Sequence, residues 1–235
     1  MSGLILPYRA QAFDASTGQV TARQFVKASS QRIAGAATAT AVPITIAAWV
    51  RITSSQAGTA VGIYQTAAPA NGFYIGFSAT TLTPYAASVA NNTYRVAQGS
   101  TGASQNVWHH LAGVFASSTS RKVYVDGTEV GSETTASTPV GLNNTNIAAF
   151  ATNGTVVYGD LDIAAVGIWG TTLNASQIAE LATGIREDNS SAGVPLSGWR
   201  QRDGGLLTPY CGSAQQTLTA YNSPTEVSDG PVLYL

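Results

Sequence analysis

NVWHHLAGVFASSTSRKVYVDGTEVG, residues 106–131, is the stretch whose pattern decides the fold class. Trp108, His110, Ala112 and Val114 recur at a spacing of two, so they share one face of an extended strand. Val123 and Val125 then alternate with Lys122 and Tyr124. Asp126-Gly127 supplies the positive φ angles of a two-residue hairpin turn, and Thr128 to Val130 form the return strand. Antiparallel β-structure built from short strands is therefore expected.

Working outward, residues 44–52 (ITIAAWVRI) are dense in β-branched side chains around Trp49 and predict a buried strand. From Gly72 onward, Phe73, Ile75 and Phe77 fall on one face of a strand, and Tyr74, Gly76 and Ser78 on the other. Residues 156–169 (VVYGDLDIAAVGIW) predict one or two more strands. A single short helix is expected near 175–183. Asn174 is its N-cap, Gln177 sits at the capping-box position, Leu173 and Ile178 flank the cap as a hydrophobic staple, and Gly184 ends it. No fixed-period repeat and no heptads are present.

Composition narrows the function. The 235 residues are 44% hydrophobic but only 10% charged, with a net charge of −1; ordinary domains are about 25% charged. That balance argues against nucleic-acid binding, which needs a basic stripe, and against membrane-surface binding, which needs a polybasic cluster. No apolar run approaches the roughly 20 residues of a spanning helix, so no membrane insertion is expected. Ala, Gly, Ser and Thr make up 111 residues, a composition suited to flat, tightly stacked sheets. The stretch MSGLILPYRAQAF lacks the basic region of a Sec signal peptide. Cys211 is the sole cysteine, which rules out an intrachain disulfide and favours folding in a reducing cytoplasm. The sequons at Asn91, Asn143, Asn153, Asn174 and Asn189 are expected from composition and not from glycosylation. Residues 186–198 have a linker-like composition. Residues 194–235 carry too few apolar side chains to bury a core alone, so they are expected to form an extension docked on a domain spanning 1–193.

Catalytic candidates are few. His109 and His110 are adjacent on a strand and so point to opposite faces. With no third histidine and one cysteine, a zinc site is not expected. Trp108 and His110 are assigned to the core side, and Trp49 and Trp108 are both expected to be substantially buried. Asp160 and Asp162 share a strand face, but glycoside hydrolysis needs two acids set across a groove, so Asp162 is expected to accept backbone hydrogen bonds at a strand start. Ser104, Ser117 and Ser118 lie in turn sequences and not in a G-x-S-x-G elbow, and Gly204-Gly205 lacks the lysine and helix of a phosphate cradle. No catalytic residue, metal or cofactor is expected. Tyr64, Tyr74, Tyr85 and Tyr94 remain. Core filling is the first use to expect of any one of them, while aromatic faces here could also stack on sugar rings or pack against a neighbouring subunit.

The order of these pieces resembles the laminin-G-like branch of the concanavalin A-like lectin/glucanase superfamily. FVKASSQRIAG resembles its first core strand, ITIAAWVRI the next tryptophan strand, NVWHHLAGVF with RKVYVDGTEVG its hairpin pair, and GDLDIAAVGIWGTTLNASQIAELATG its closing strand and helix. The resemblance spans roughly 20–185 and implies an all-β jelly-roll sandwich of two antiparallel sheets, about six or seven strands each. It implies structural roles for the signature residues Trp49, Trp108, His110, Asp126, Gly127 and Asp162. Ala164 departs from the family pattern, standing where many relatives keep an acid. With only Asp160/Asp162 and Glu187-Asp188 as local acid pairs, the six to eight oxygens of a calcium site are not expected. The functional expectation is a non-catalytic virion surface protein of a tailed bacteriophage, serving capsid decoration or host-surface adhesion and made in the host cytoplasm. Its expected partners are a capsid or other virion protein, copies of itself and a cell-surface glycan, with the arm at residues 1–7 expected to dock on a copy of itself or on the shell it decorates. The charge-poor composition and the apolar ends MSGLIL and GPVLYL carry that expectation. The alternative is an extracellular bacterial carbohydrate-binding module, secreted or on the cell surface.

Overall fold

A computed structural model describes residues 22–184, 191–193, 195–201, 207–211, 219–227 and 231. The arm at 1–7, Glu187-Asp188, Asn189, Gly204-Gly205 and all of GPVLYL but Pro231 lie outside the described residues. In chain order the elements begin with β1 (Ala22–Phe25), β2 (Arg32–Ala36), β3 (Ile44–Ile52), β4 (Thr59–Tyr64), β5 (Gly72–Phe77), β6 (Pro84–Ala90) and β7 (Thr93–Gln98). There follow β8 (Trp108–Ser117), β9 (Ser120–Val125), β10 (Thr128–Glu133), β11 (Asn144–Ile147), β12 (Ala149–Thr152), β13 (Thr155–Tyr158) and β14 (Leu161–Trp169). The chain continues through α1 (Ala175–Ala182), β15 (Ser197–Gln201), β16 (Leu207–Cys211), β17 (Thr219–Tyr221) and β18 (Thr225–Val227).

Two antiparallel sheets pack as a jelly-roll sandwich. A nine-stranded sheet runs β10-β9-β8-β3-β14-β1-β18, with β15 beside the second half of β14 and β16 beside β15. A seven-stranded sheet runs β17-β2-β11-β4-β5-β6-β7, and β12-β13 form a separate two-stranded ribbon. The nine strands exceed the expected six or seven because β15, β16 and β18 come from the segment beyond 185, which the family resemblance does not reach. FVKASSQRIAG holds two strands and not one: β1 joins the larger sheet and β2 the smaller. The Asp126-Gly127 turn closes the β9–β10 hairpin with φ of 49° and 81°. A Cβ at Gly127 would also lie 2.9 Å from the Ala179 Cα of α1, so this glycine serves both the turn and the helix seat.

The sheets meet through one apolar layer. Ile44, Ile46, Val50 and Ile52 of β3, with Leu111 and Phe115 of β8, face Val61, Ile63, Phe73, Ile75 and Phe77 of the smaller sheet. The Phe73 and Phe115 rings sit 5.0 Å apart. On the opposite face of the larger sheet, Ala47, Ala112, Val114, Tyr124 and Trp169 are covered by Leu173, Ile178 and Leu181 at the helix. The capping box forms as expected, with the Gln177 amide donating to Asn174 Oδ1 at 3.0 Å and the Asn174 amide donating to Gln177 Oε1 at 2.9 Å.

This arrangement corrects one expectation. Trp108, His110, Ala112 and Val114 do share a face, but it is the outer one. The residues between them, Leu111 and Phe115, enter the layer between the sheets. Trp49 and Trp108 are correspondingly only half-buried, packed beside Ala22, Ala164 and Ala165. Alternation alone could not choose the face, because both faces of β8 are apolar and both are covered.

The energetic consequence is measurable. Phe115, 1% exposed, is expected to cost about 3–5 kcal/mol on substitution by alanine, as buried aromatic residues do. Trp108→Ala is expected to cost less, about 1–2 kcal/mol, within the ordinary range for partly covered side chains. Urea unfolding of both variants checks the order; an equal or larger loss for Trp108 would return it to the core.

Candidate functional site

The outer face of the seven-stranded sheet carries an unusual pairing. Gly62 stands across from Tyr74, Gly72 from Tyr64, and Gly76 from Tyr85. Each tyrosine thus faces a residue with no side chain, and the rings lie down over the gap. A Cβ at Gly62 would come within 2.8 Å of the Tyr74 ring, one at Gly72 within 2.6 Å of the Tyr74 hydroxyl, and one at Gly76 within 2.7 Å of the Tyr85 hydroxyl. The glycines are therefore the space the aromatic rings occupy, an arrangement that compensates for the weak packing of glycine in strands.

The β12–β13 ribbon builds a wall beside these rings. Its turn, Asn153-Gly154, has φ of 49° and 80°, as a two-residue hairpin of this kind requires. Phe150 of β12 meets Tyr74 edge-on at 5.0 Å, and Tyr64 lies 6.3 Å from Tyr74 on the other side. Arg32 of β2 secures the ribbon's far end, donating to the Tyr158 hydroxyl at 2.7 Å while its guanidinium stacks 4.2 Å from the Tyr221 ring. Stacking of this kind contributes about 0.5–1 kcal/mol at exposed sites.

Between ribbon and sheet lies a cup of about 200 Å³ lined by Thr59, Tyr74, Tyr85, Ala87, Tyr94, Val96 and Phe150. Tyr74 forms a buried floor at 2% exposure, whereas Tyr94 on the rim is 42% exposed. The Tyr85 and Thr59 hydroxyls bond each other at 2.9 Å, and the Tyr74 hydroxyl donates to the Ala151 carbonyl at 3.4 Å. Burial pushes the Tyr85 phenol up to about 12 and the Tyr74 phenol up as well, so both stay neutral at physiological pH. An aromatic, uncharged recess of this type can receive the apolar face of a ring. The sequence pointed to four tyrosines; Tyr74, Tyr85 and Tyr94 line the cup, and Tyr64 supports Tyr74 from beside it. Phe150 and the ribbon went unread, although Asn153-Gly154 between β-branched residues was a signal for them.

The signature residues lie elsewhere, on the outer face of the nine-stranded sheet. Arg51 donates through Nε to Asp162 Oδ2 at 2.8 Å, with its terminal nitrogen 2.7 Å from the same oxygen, and its guanidinium lies 5.1 Å from the Trp108 ring centre. Asp162 thus serves a side-chain ion pair with Arg51. Asp160 accepts the Lys27 amide at 2.6 Å and the Ser54 hydroxyl at 2.8 Å. Trp49 meets His110 at 5.5 Å. Asp126 accepts the His110 amide at 2.8 Å through one oxygen and lies 2.8 Å from His109 Nδ1 through the other. Partial burial raises the Asp126 pKa, but the bonds from His109 and the His110 amide outweigh it and hold the carboxyl below its usual range. Among the described residues no group of three or more His, Cys, Asp or Glu side chains is placed to hold a metal ion, and no helix is long and apolar enough to cross a membrane.

A family model for the concanavalin A-like lectin/glucanases superfamily matches residues 24–179. Among solved structures, a native heptameric SAP-like pentraxin from Limulus polyphemus superposes with a TM-score of 0.66 at 12% identity, over 94% of this chain and 100% of that one. A proposed carbohydrate-binding protein from Bacteroides ovatus gives 0.63 at 13% identity, over 92% of this chain and 62% of the other. The CBM40 of the Ruminococcus gnavus IT-sialidase, bound to α2,3-sialyllactose, gives 0.51 at 12%, over 62% and 84% respectively. At these identities the likeness is one of fold. No curated protein matches the sequence.

His110 gives this region a pH signature. Desolvation pushes its imidazole down to about 4, against an upward pull from Asp126. In the unfolded chain the same group titrates near 6.5. Between those values the unfolded chain binds the extra proton, so stability is complete above pH 6.5 and falls as the pH drops toward 4. At about 1.4 kcal/mol per unit the loss reaches about 3 kcal/mol. His110→Phe is expected to flatten the fall in thermal midpoint between pH 6.5 and 4; an unchanged slope would move the titration to another group.

Proposed function

Because the chain belongs to the concanavalin A-like lectin/glucanases superfamily, we propose that it is a carbohydrate-binding domain without catalytic activity and that the tyrosine cup is its sugar site. The observation that carries this reading is the set of reclining tyrosines opposite glycines, closed on one side by Phe150. Sugar rings present apolar C–H faces that such platforms cover. The carbohydrate-binding role proposed for the Bacteroides ovatus neighbour and the sialyllactose held by the Ruminococcus gnavus module support the same class of ligand. A non-catalytic role is supported by the separate engagements of Asp160 and Asp162, each held in its own structural contact.

The size of the cup bears on how it is used. Covering about 100 Å² of apolar surface contributes roughly 2.5 kcal/mol, while association costs at least about 4 kcal/mol. The apolar contact of a single cup therefore does not offset association on its own, and a single site binds weakly. Repetition multiplies such sites into avidity. That need for repetition, with the charge-poor, small-residue-rich composition, supports the narrower reading: a surface protein of a tailed bacteriophage virion, displayed as a homo-oligomer on a capsid or other virion protein and used for decoration or host-surface adhesion. A secreted or cell-surface bacterial carbohydrate-binding module is the alternative, and mass spectrometry of purified virions separates the two.

The sugar-binding reading is tested by a panel of bacterial surface polysaccharides. Tyr94→Ala is expected to weaken binding at least tenfold, roughly 1.4 kcal/mol, with the thermal midpoint nearly unchanged; Phe150→Ala is expected to weaken it as much with a stability loss of about 1–2 kcal/mol, and no reducing ends should appear. Unaltered binding in both variants, or product release abolished by Asp160→Asn or Asp162→Asn, would overturn it.

A further inference from the structure

The chemistry of the cup lining says more than that a sugar fits. We infer that the cup selects a neutral sugar ring bearing a methyl group, as a 6-deoxyhexose or an N-acetylated amino sugar does; this rests on the sugar-binding reading above. None of the seven lining residues is charged, so the lining offers no counter-ion to a carboxylate or ammonium group that enters it. The hydroxyls at the floor are already engaged, Thr59 with Tyr85 and Tyr74 with the Ala151 carbonyl, and the Tyr94 hydroxyl belongs to the exposed rim. A sugar hydroxyl pushed against that floor gives up water and finds little in return. A methyl group loses nothing there and gains contact with Ala87, Val96 and the aromatic faces.

Size points the same way. Sites for larger ligands measure about 300–1,000 Å³, whereas this cup measures about 200 Å³. It accommodates one ring edge and its substituent, leaving the remaining hydroxyls at the mouth in water. The methyl of a deoxy sugar and that of an acetamido group present the same surface, so the two sources are separated by experiment.

The test is ligand-observed NMR on the full chain with matched probes: D-fucose against D-galactose, L-rhamnose against L-mannose, N-acetyl-D-glucosamine against D-glucose, and D-glucuronic acid as the charged control. In at least one pair the methyl-bearing member is expected to bind at least tenfold more tightly, with the strongest saturation transfer at its methyl protons. The pair that responds identifies the source. Ala87→Leu, which fills the floor, is expected to abolish the response. Val96→Phe provides the same test from the neighbouring strand should the first variant fail to fold. Equal or tighter binding of the hydroxylated partners, or of glucuronic acid, with loss in these variants, overturns the methyl preference and leaves the sugar site standing. No binding by any probe, or binding unaffected by folded Ala87→Leu or Val96→Phe, overturns both.

Discussion

Strands β3, β8 and β14 are buried along most of both faces, so neither face of the sheet they form is left to water. One face is satisfied by the second sheet, through Ile46, Val50, Phe115 and their counterparts. The other needs a separate cover, and the chain supplies it directly after β14: Leu173, the capped helix with Ile178 and Leu181, and the segment near Ala192. Hydrophobic burial at about 25 cal/mol per Å² drives both contacts. The helix is thus not an ornament on a β-protein but the lid on the second face of its central strands.

The seven-stranded sheet meets the same constraint differently. Its outer face is covered by the β12–β13 ribbon, whose Phe150 and Ala151 pack with Tyr64 and Tyr74, and by the rings lying over Gly62, Gly72 and Gly76. The cover stops short at β6 and β7, and the cup opens there. Site and core are therefore continuous. The rings that would receive a ligand are held by the same packing that stabilises the sheet, so the recess is set before any ligand arrives, and little ordering is required on binding.

Much of this was legible in the residues. β3 and β5 coincide with the expected stretches, and the Asp126-Gly127 hairpin and the Asn174–Gln177 cap formed where local chemistry placed them, because each depends on neighbours within a few positions. What was not legible depends on distance or on sidedness. PYAASVA and TYRVAQ became β6 and β7 without a strong alternating pattern, since small residues suit either face. The face taken by Trp108 and His110 was not legible because residues on both faces of the middle of β8 are buried. Phe150 joins the cup from a ribbon far along the chain from Tyr74 and Tyr94, and no local pattern brings those three together. Asp162 faces Arg51 across a strand pair, a contact that only the register reveals.

The placement of β1 has a bearing on how the chain is made. Arg23 lies between Ile163 on one side and Glu226 on the other, and Ala34 of β2 pairs with Thr219 at the edge of the second sheet. On a ribosome adding about 5–20 residues per second, roughly 10–40 s pass between the emergence of β1 and that of its last partner. Until β14 emerges β1 has neither partner, and one of its edges stays unpaired through the rest of that interval, open to the edge-to-edge association that such strands invite. Arg23 and Gln24, at the middle of β1, keep that waiting strand polar. The earliest of the described strands is thus also among the last to be enclosed: sheet edges of the nascent protein stay open until β17 and β18 emerge to pair with β2 and β1.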